Sequence, residues 1–357
     1  MPKKIGNIEF YMGPSGLGPD DLLVPIVSFI DGAQKSLNVA VQEIDNRDIT
    51  EAIIRAKKRG VKVRVVLEAD YLISRKEAPD PFKSAGTTFE VNRELYNAIL
   101  RAKIRVNSDF NPKIFHQKFI VRDGTSVLTG STNFTDTGVG QNLNHVIIVH
   151  DKEVTRNYTR EFDEIKNGHF GKFNIGHNTR PKEIDVSGVR VKTLFAPDHN
   201  PEMEIMKQIA KSKSRVDFAI FTFSKSSGID DELVSVSQRG VQVRGAMHSS
   251  QANQKWSAKD TFKGSQANLF LVPKAGLSSP RPRKLHHKIM VVDEQVVIAG
   301  SFNYTAPANT TNDENIIIFG DLDTSDTQAI AKQKELAKYV LDDIDHIIDT
   351  YGTPVIH

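Results

Sequence analysis

Two stretches of the chain carry residues suited to nucleophilic chemistry on a phosphate ester. One reads His116-x-Lys118-x4-Asp123, followed by Gly130-Ser131-x-Asn133-x-Thr135. The other reads His286-x-Lys288-x4-Asp293, followed by Gly300-Ser301-x-Asn303-x-Thr305. The two 20-residue blocks align without gaps at an offset of 170, and nine positions are identical. The identities are mostly polar, whereas a duplication kept only for packing should preserve its apolar pattern and let polar letters drift. On a strand, side chains at i and i+2 share a face, so each His emerges beside its Lys and each Ser beside its Asn. If the halves meet about a two-fold axis, two imidazoles flank a pocket lined by two ammoniums and two amides. Such a pocket suits a phosphodiester, because Lys118, Lys288, Asn133 and Asn303 can donate to its non-bridging oxygens. One imidazole attacks phosphorus, and the other protonates the leaving oxygen and then activates water. The positive charge comes from lysines, so this chemistry calls for no metal and no cofactor.

The elements that must position these groups repeat as well. Arg59-Gly-Val-Lys-Val-Arg64 matches Arg239-Gly-Val-Gln-Val-Arg244, each after a helix-like stretch (49–58 and 229–238) and opening a strand (61–67 and 241–247). The Gly in each falls just past the last helical turn. Upstream, 36–41 and 215–222 read as buried strands, and 20–34 and 201–211 as helices. Downstream, 146–149 and 316–319 read as strands, and 152–166 and 327–349 as closing helices. Alternating strands and helices imply an α/β fold of two pseudo-symmetric repeats, each a mixed sheet flanked by helices. The Gly-, Asn-, Pro- and charge-rich run 168–188 supplies a linker. The expected division is a first repeat at 1–170, a linker at 171–188 and a second repeat at 189–357.

At 357 residues with 39% hydrophobic and 25% charged, the chain can bury a core. It has no cysteine, which excludes disulfide scaffolds, thiolate nucleophiles and thiolate metal sites. A net charge of +3 is a weak bias, so affinity for polyanions depends on how charge is arranged. No stretch approaches the ~18 apolar residues that cross a bilayer, and the start shows no signal-peptide core. A soluble cytoplasmic protein without an integral membrane segment is expected.

The paired motifs resemble the phospholipase D superfamily, the HKD phosphodiesterases, and the Gly-Ser-x-Asn-x-Thr wording is most similar to its nuclease branch. The resemblance implies the phospholipase D-like fold, a phosphohistidine intermediate and a catalytic pair of His116 and His286. It implies phosphate-holding roles for Lys118, Lys288, Asn133 and Asn303, a supporting shell with Ser131 and Ser301, and loop support from Asp123 and Asp293. Members usually carry a downstream acid that orients an imidazole. Glu314 stands 28 residues after His286, but Asn144 stands 28 after His116, so the halves should differ. In some two-motif relatives that acid reaches across to the other half. On that pattern Glu314 supports His116 as nucleophile, and His286 is the acid.

For the substrate, the reading favours nucleic acid, DNA or RNA. Arg281, Arg283 and Lys284 precede His286 and are expected at the mouth of the site. Trp256 lies among Lys255, Lys259 and Lys263, an arrangement that suits stacking and phosphate contact. The long connections 68–115 and 249–285 form the expected rim. The alternatives are a phospholipase D-type hydrolase, with an apolar rim from Phe262, Leu269 to Val272 and Leu277, and a catalytically dead nucleic-acid-binding protein. The cluster Arg55 to Arg64 reads first as a solvated helix face, and His287, His145, His150 and His248 as structural or surface residues. Both motifs lie in one chain, so the site needs no dimer, and the oligomeric state stays open.

Overall fold

The apolar runs flanking the two motif blocks fold into two mixed β-sheets. The computed structural model describes residues 1–73, 80, 82, 88–109, 111–174, 181–276 and 279–356. The first half contributes β1 (Lys3–Ile5), β2 (Ile8–Gly13), α1 (Leu23–Asp31), β3 (Ser36–Val41), α2 (Arg47–Lys58), β4 (Lys62–Leu67), α3 (Glu90–Arg101), β5 (Arg105–Ser108), β6 (Lys118–Arg122), β7 (Ser126–Gly130), α4 (Asp136–Gly140), β8 (Asn142–Val149) and α5 (Lys152–Lys166). The second half contributes β9 (Ile184–Val186), β10 (Val189–Ala196), α6 (Pro201–Ala210), β11 (Arg215–Ile220), α7 (Ile229–Gln238), β12 (Gln242–His248), α8 (Ser249–Ala252), β13 (Asn268–Val272), β14 (Lys284–Leu285), β15 (Lys288–Val292), β16 (Val296–Gly300), α9 (Ala306–Thr310), β17 (Glu314–Phe319), α10 (Thr327–Tyr351) and β18 (Thr353–Pro354).

One sheet runs β1-β2-β8-β7-β6-β3-β4-β5, and the other β18-β13-β12-β11-β15-β16-β17-β10-β9. In each, a parallel pair made through a helical crossover (β3/β4, β11/β12) joins an antiparallel hairpin that carries the motif (β6/β7, β15/β16). The helices start where a side chain can satisfy their first amides. Asn46 accepts from Ile49 N, Asp151 from Glu153 N and Val154 N, and Asp326 from Gln328 N and Ala329 N. Gly60 and Gly240, at φ +90 and +92, follow α2 and α7 in the left-handed geometry that glycine adopts without strain.

Helices α1 to α3 cover the outer face of the first sheet, and α6 and α7 that of the second. The inner faces share one core with α5 and α10 between them. Phe10 meets Phe319 across the halves at 5.3 Å, and Tyr158 meets Phe195 at 5.1 Å. Truncating a buried aromatic here costs about 3–5 kcal/mol, so the same packing that stabilises the chain also fixes how the motif strands face each other.

The helix expected over 20–34 is shorter, Leu23–Asp31, and the strand read as 146–149 begins earlier, at Asn142. The connection 68–115, expected as one long rim, contains α3 and β5. Within 171–188, Gly171–Asn174 is a 3-10 turn and Ile184–Val186 is a strand. Residues 175–180 and Leu277 lie outside the described residues. Among those described, no helix is long and apolar enough to cross a membrane.

Candidate active site

Each motif histidine is delivered by hydrogen bonds to the opposite half. The stretch before His286 runs parallel to β8 of the first half: Lys284 pairs with Asn142, Leu285 with Leu143, and His286 N donates to Leu143 O at 2.9 Å. The stretch before His116 does the same against the second half, with Phe115 bridging to Asp313 and His116 N donating to Asp313 O at 2.9 Å. Neither repeat completes the site alone.

The exchange brings each imidazole against the last core strand of the other repeat. His116 Nδ1 lies 2.7 Å from Glu314 Oε2, and His286 Nδ1 lies 2.9 Å from Asn144 Oδ1. Ser301 Oγ donates to the same Glu314 oxygen at 2.6 Å, and Ser131 Oγ to the same Asn144 oxygen at 2.8 Å. Asn144 Nδ2 donates to Gly138 O at 2.9 Å, which leaves its Oδ1 to accept from both Ser131 and His286. His286 therefore carries its proton on Nδ1 and presents an unprotonated Nε2, and His116 does the same when Glu314 is ionised. The glycine before each serine has a steric cause. At Gly130 and Gly300, φ is +146 and +141, and a Cβ would come within 2.2 Å of His145 O or 2.3 Å of Asn315 O. The cross-strand contact that seats Ser131 and Ser301 needs glycine there.

Lys118 and Lys288 are buried beneath the imidazoles. Lys118 Nζ donates to His116 O at 2.8 Å and to Gln42 Oε1 at 3.0 Å, and Lys288 Nζ donates to His286 O at 2.7 Å. Burial pushes the Lys118 ammonium down to about 7 and the Lys288 ammonium well below its ordinary value. Burial, followed by the two ammoniums, holds His116 and His286 well below the usual histidine range, in the neutral form that a nucleophile requires. Burial raises Glu314 to about 8, against the pull of Lys118 and Lys288. Asp123 and Asp293 lie away from this chemistry. Asp123 accepts from Gln34 N, Lys35 N and Ser36 N, and Asp293 from Lys213 N, Ser214 N and Arg215 N. Each ties its motif hairpin to the start of the neighbouring strand.

His116, His286, Asn133 and Asn303 open together onto one cavity of about 490 Å³, and the amide oxygens of the two asparagines have no hydrogen-bond partner among the described residues. The rim differs from expectation. Lys284 lines the cavity with Trp256, but Arg281 and Arg283 face a separate depression beside Leu17 and Gln141. The cause is alternation: the stretch before His286 is extended along β8, so Lys284 and His286 point one way and Arg283 the other. Near Trp256, Lys259 donates to Asn253 and Lys263 pairs with Asp260, so these cations are already engaged. The apolar rim assigned to Phe262 and Leu269 to Val272 is also wrong, because Phe262, Leu269 and Val272 are buried in the core. Apolar surface is supplied instead by Tyr71, Ile114, Phe221, Pro307 and Trp256, with Ile114 45% and Trp256 44% exposed.

A family model described as "Cardiolipin synthase, PLD-like domain" matches residues 26–166 and 205–336, the greater part of both repeats. The chain belongs to this PLD-like family, within the phospholipase D superfamily. It is 30% identical over 134 residues to a mitochondrial cardiolipin hydrolase of Xenopus laevis, covering 38% of this chain and 56% of that one. It is 34% identical over 137 residues to a phospholipase D of Rickettsia felis, covering 38% and 60%. The chain thus spans little more than half the length of these curated relatives. Phosphatidylserine synthase from Haemophilus influenzae superposes over 99% of this chain and 89% of its own with TM-score 0.65 at 13% identity, which shows a shared fold.

The two PLD-like repeats differ around the shared cavity in ways that no motif announces. After β3 stands Gln42, which bonds Lys118; the matching residue after β11 is Phe221, whose ring lies 4.9 Å from that of His286 and 5.2 Å from Lys288 Nζ. Glu43 lines the cavity near Lys284, and burial raises it to about 7. Glu68 Oε2 accepts from Phe115 N, and His248 Nδ1 from Leu285 N, at matching positions just past β4 and at the end of β12. Register alignment of the repeats points to these pairs, but their chemistry differs, so sequence identity does not. Behind the site, His145 and His287 stack at 5.4 Å with Nδ1 atoms 3.1 Å apart. Gly300 N donates to His145 Nε2, so the His145 proton sits on Nδ1 and that of His287 on Nε2, facing Asp343 at 3.5 Å. At the pseudo-symmetric place, again across the two repeats, stand Gln117, Asn315 and Glu161.

Proposed function

We propose that the protein is a metal-independent phosphodiesterase that acts through a phosphohistidine on phospholipid substrates. The observation that carries the chemistry is the pair of imidazoles in one cavity, each with Nδ1 held by the other repeat. In this reading His116 is the nucleophile. Its Nδ1 proton goes toward Glu314, and its Nε2 lone pair attacks phosphorus in line with the leaving oxygen. The P–O bond to the leaving group breaks as the P–N bond forms, and His286 gives its Nε2 proton to the departing oxygen. The bound anion supplies the negative charge that lets His286 hold that proton. His286 then takes a proton from water, whose oxygen displaces His116. Lys118, Lys288, Asn133 and Asn303 stabilise the equatorial oxygens.

The substrate class rests on the cavity wall. Among the described residues the wall carries five apolar or aromatic side chains and one lysine, Lys284, which suits an ester flanked by hydrocarbon better than a polyanion. The names of the relatives above, a cardiolipin hydrolase and a phospholipase D, support the same reading. A nuclease is the second reading, favoured by Trp256, half-exposed beside Lys284 and available for base stacking. The test is turnover of cardiolipin and phosphatidylcholine vesicles, single-stranded DNA and RNA, each with EDTA. Lipid turnover in EDTA supports the proposal. Cleavage of nucleic acid alone selects the second reading, and binding without turnover of anything means a dead site.

A further inference from the structure

The far end of β4 from the cavity carries a second concave site. A groove of about 370 Å³ at the start of β4 and β5 is lined by Lys57, Lys62, Arg64, Lys103, Arg105 and Lys166. Among the described residues no carboxylate lines it. Among the described residues only Lys166 of the six has an acid in reach, Asp163 at 2.7 Å. The Arg64 guanidinium lies 5.6 Å from the Phe162 ring centroid and donates from Nε to Asn38 Oδ1 at 2.9 Å, which holds it in place without cancelling its charge.

The second repeat is an internal control. Strand register makes Arg64 the counterpart of Arg244, Asn38 of Asp217, and Arg105 of Asn268. There Arg244 is ion-paired with Asp217 at 2.8 Å and with Asp345. Ser237, Gln242, Gln266 and Asn268 stand where the first repeat has Lys57, Lys62, Lys103 and Arg105. The fold is thus built equally well without these cations, and the first repeat gathers them while removing their counter-charge. Like charges so placed repel one another, a cost that an anion between them removes.

We propose that this groove is an anion site for a small soluble ligand carrying two or more phosphate groups. Its concavity and size suit a small ligand better than a duplex. It opens at the start of β4, whereas the residue just past the other end, Glu68, holds Phe115 N beside His116, roughly 20 Å away at strand rise. The inference stands independently of the substrate assigned to the catalytic cavity.

The test is titration calorimetry of the full chain with inorganic tripolyphosphate, with a short oligonucleotide and anionic vesicles in parallel. The variant is Lys62→Gln with Arg105→Asn, which copies the second repeat at two exposed positions. The wild type is expected to bind tripolyphosphate one to one, and the variant at least about tenfold more weakly, since two charge-assisted contacts are lost. Hydrolysis of a small soluble phosphodiester should be unchanged. No saturable binding by the wild type overturns the proposal. So does equal binding by the variant, which puts the anion in the catalytic cavity, or binding of the oligonucleotide or vesicles alone. If circular dichroism shows the double variant unfolded, Arg105→Asn alone carries the comparison.

Discussion

Glu314 Oε2 lies 2.7 Å from His116 Nδ1, although 198 positions separate the two residues in the chain. The equivalent place against His286 is held by an amide, Asn144, at 2.9 Å. A carboxylate stabilises an imidazolium, and an amide only orients the ring. Two identical motifs thereby acquire different chemistry from one unlike neighbour.

Glu314→Gln should lower kcat by about a hundredfold to ten-thousandfold, with KM changed by only a few fold, because the lost charge acts as positive charge develops on His116. Steady-state kinetics on the preferred substrate decide this. A kcat within threefold of wild type would remove Glu314 from the mechanism.

Asn144→Asp should raise the proton affinity of His286, since a carboxylate favours the charged imidazole. The limb of the pH–rate profile on which His286 loses its proton should then move to higher pH. A profile unshifted in either limb would mean that His286 does not titrate in the rate-limiting step.

Quenching with denaturant at alkaline pH, where a P–N bond to imidazole survives, during turnover of a phosphorus-labelled substrate should leave the label on His116. Recovery on His286 would reverse the two roles, and His286→Ala and His116→Ala should each abolish turnover whichever assignment holds.

Asp123→Asn should destabilise the fold without touching the chemistry. Its carboxylate gathers three backbone amides at the start of β3, and weakening charge-assisted bonds of this kind costs about 2 kcal/mol. A lower melting temperature with kcat per folded molecule preserved is the expected pair of results; a lost kcat at full stability would contradict the loop-support role.

Asp343 gives a pH test of the buried pair behind the site. Burial holds its carboxyl at about 7 against an ordinary value of 3.8, so between those values the folded chain binds the extra proton. Its contribution to stability is full below about pH 4 and is lost as pH rises to about 7, at most on the order of 4 kcal/mol. Asp343→Asn should gain stability relative to wild type at pH 8 compared with pH 5. Melting curves that run parallel at both pH values would refute it.

Much of this was legible in the chain. The offset of 170 exposed the duplication, and strands such as Ser36–Val41 and helices such as Ile229–Gln238 and Lys152–Lys166 followed from period and caps. The paired His, Lys, Ser and Asn residues were legible because they repeat. The rim was not. Arg281 and Arg283 are near His286 in sequence, but an edge pairing with β8 alternates their direction, and that pairing is a contact between halves that no local pattern encodes. Phe262 and Val272 look like exposed rim when read as loop, yet tertiary burial claims them. Gln42, Phe221, Glu68 and His248 escaped because matching positions hold unlike side chains.

The two-residue strand Lys284–Leu285 decides more than its length suggests. It is followed by two histidines in a row, His286 toward the cavity and His287 stacked on His145 in the interior. A slip of one residue along β8 would invert both side chains and offer the solvent-facing chamber an imidazole with no amide behind it, while burying the one that reacts. Insertions or deletions between Gly276 and His286 should therefore be far less tolerated than loop exposure alone would suggest, because the spacing there works as a reading frame for catalysis.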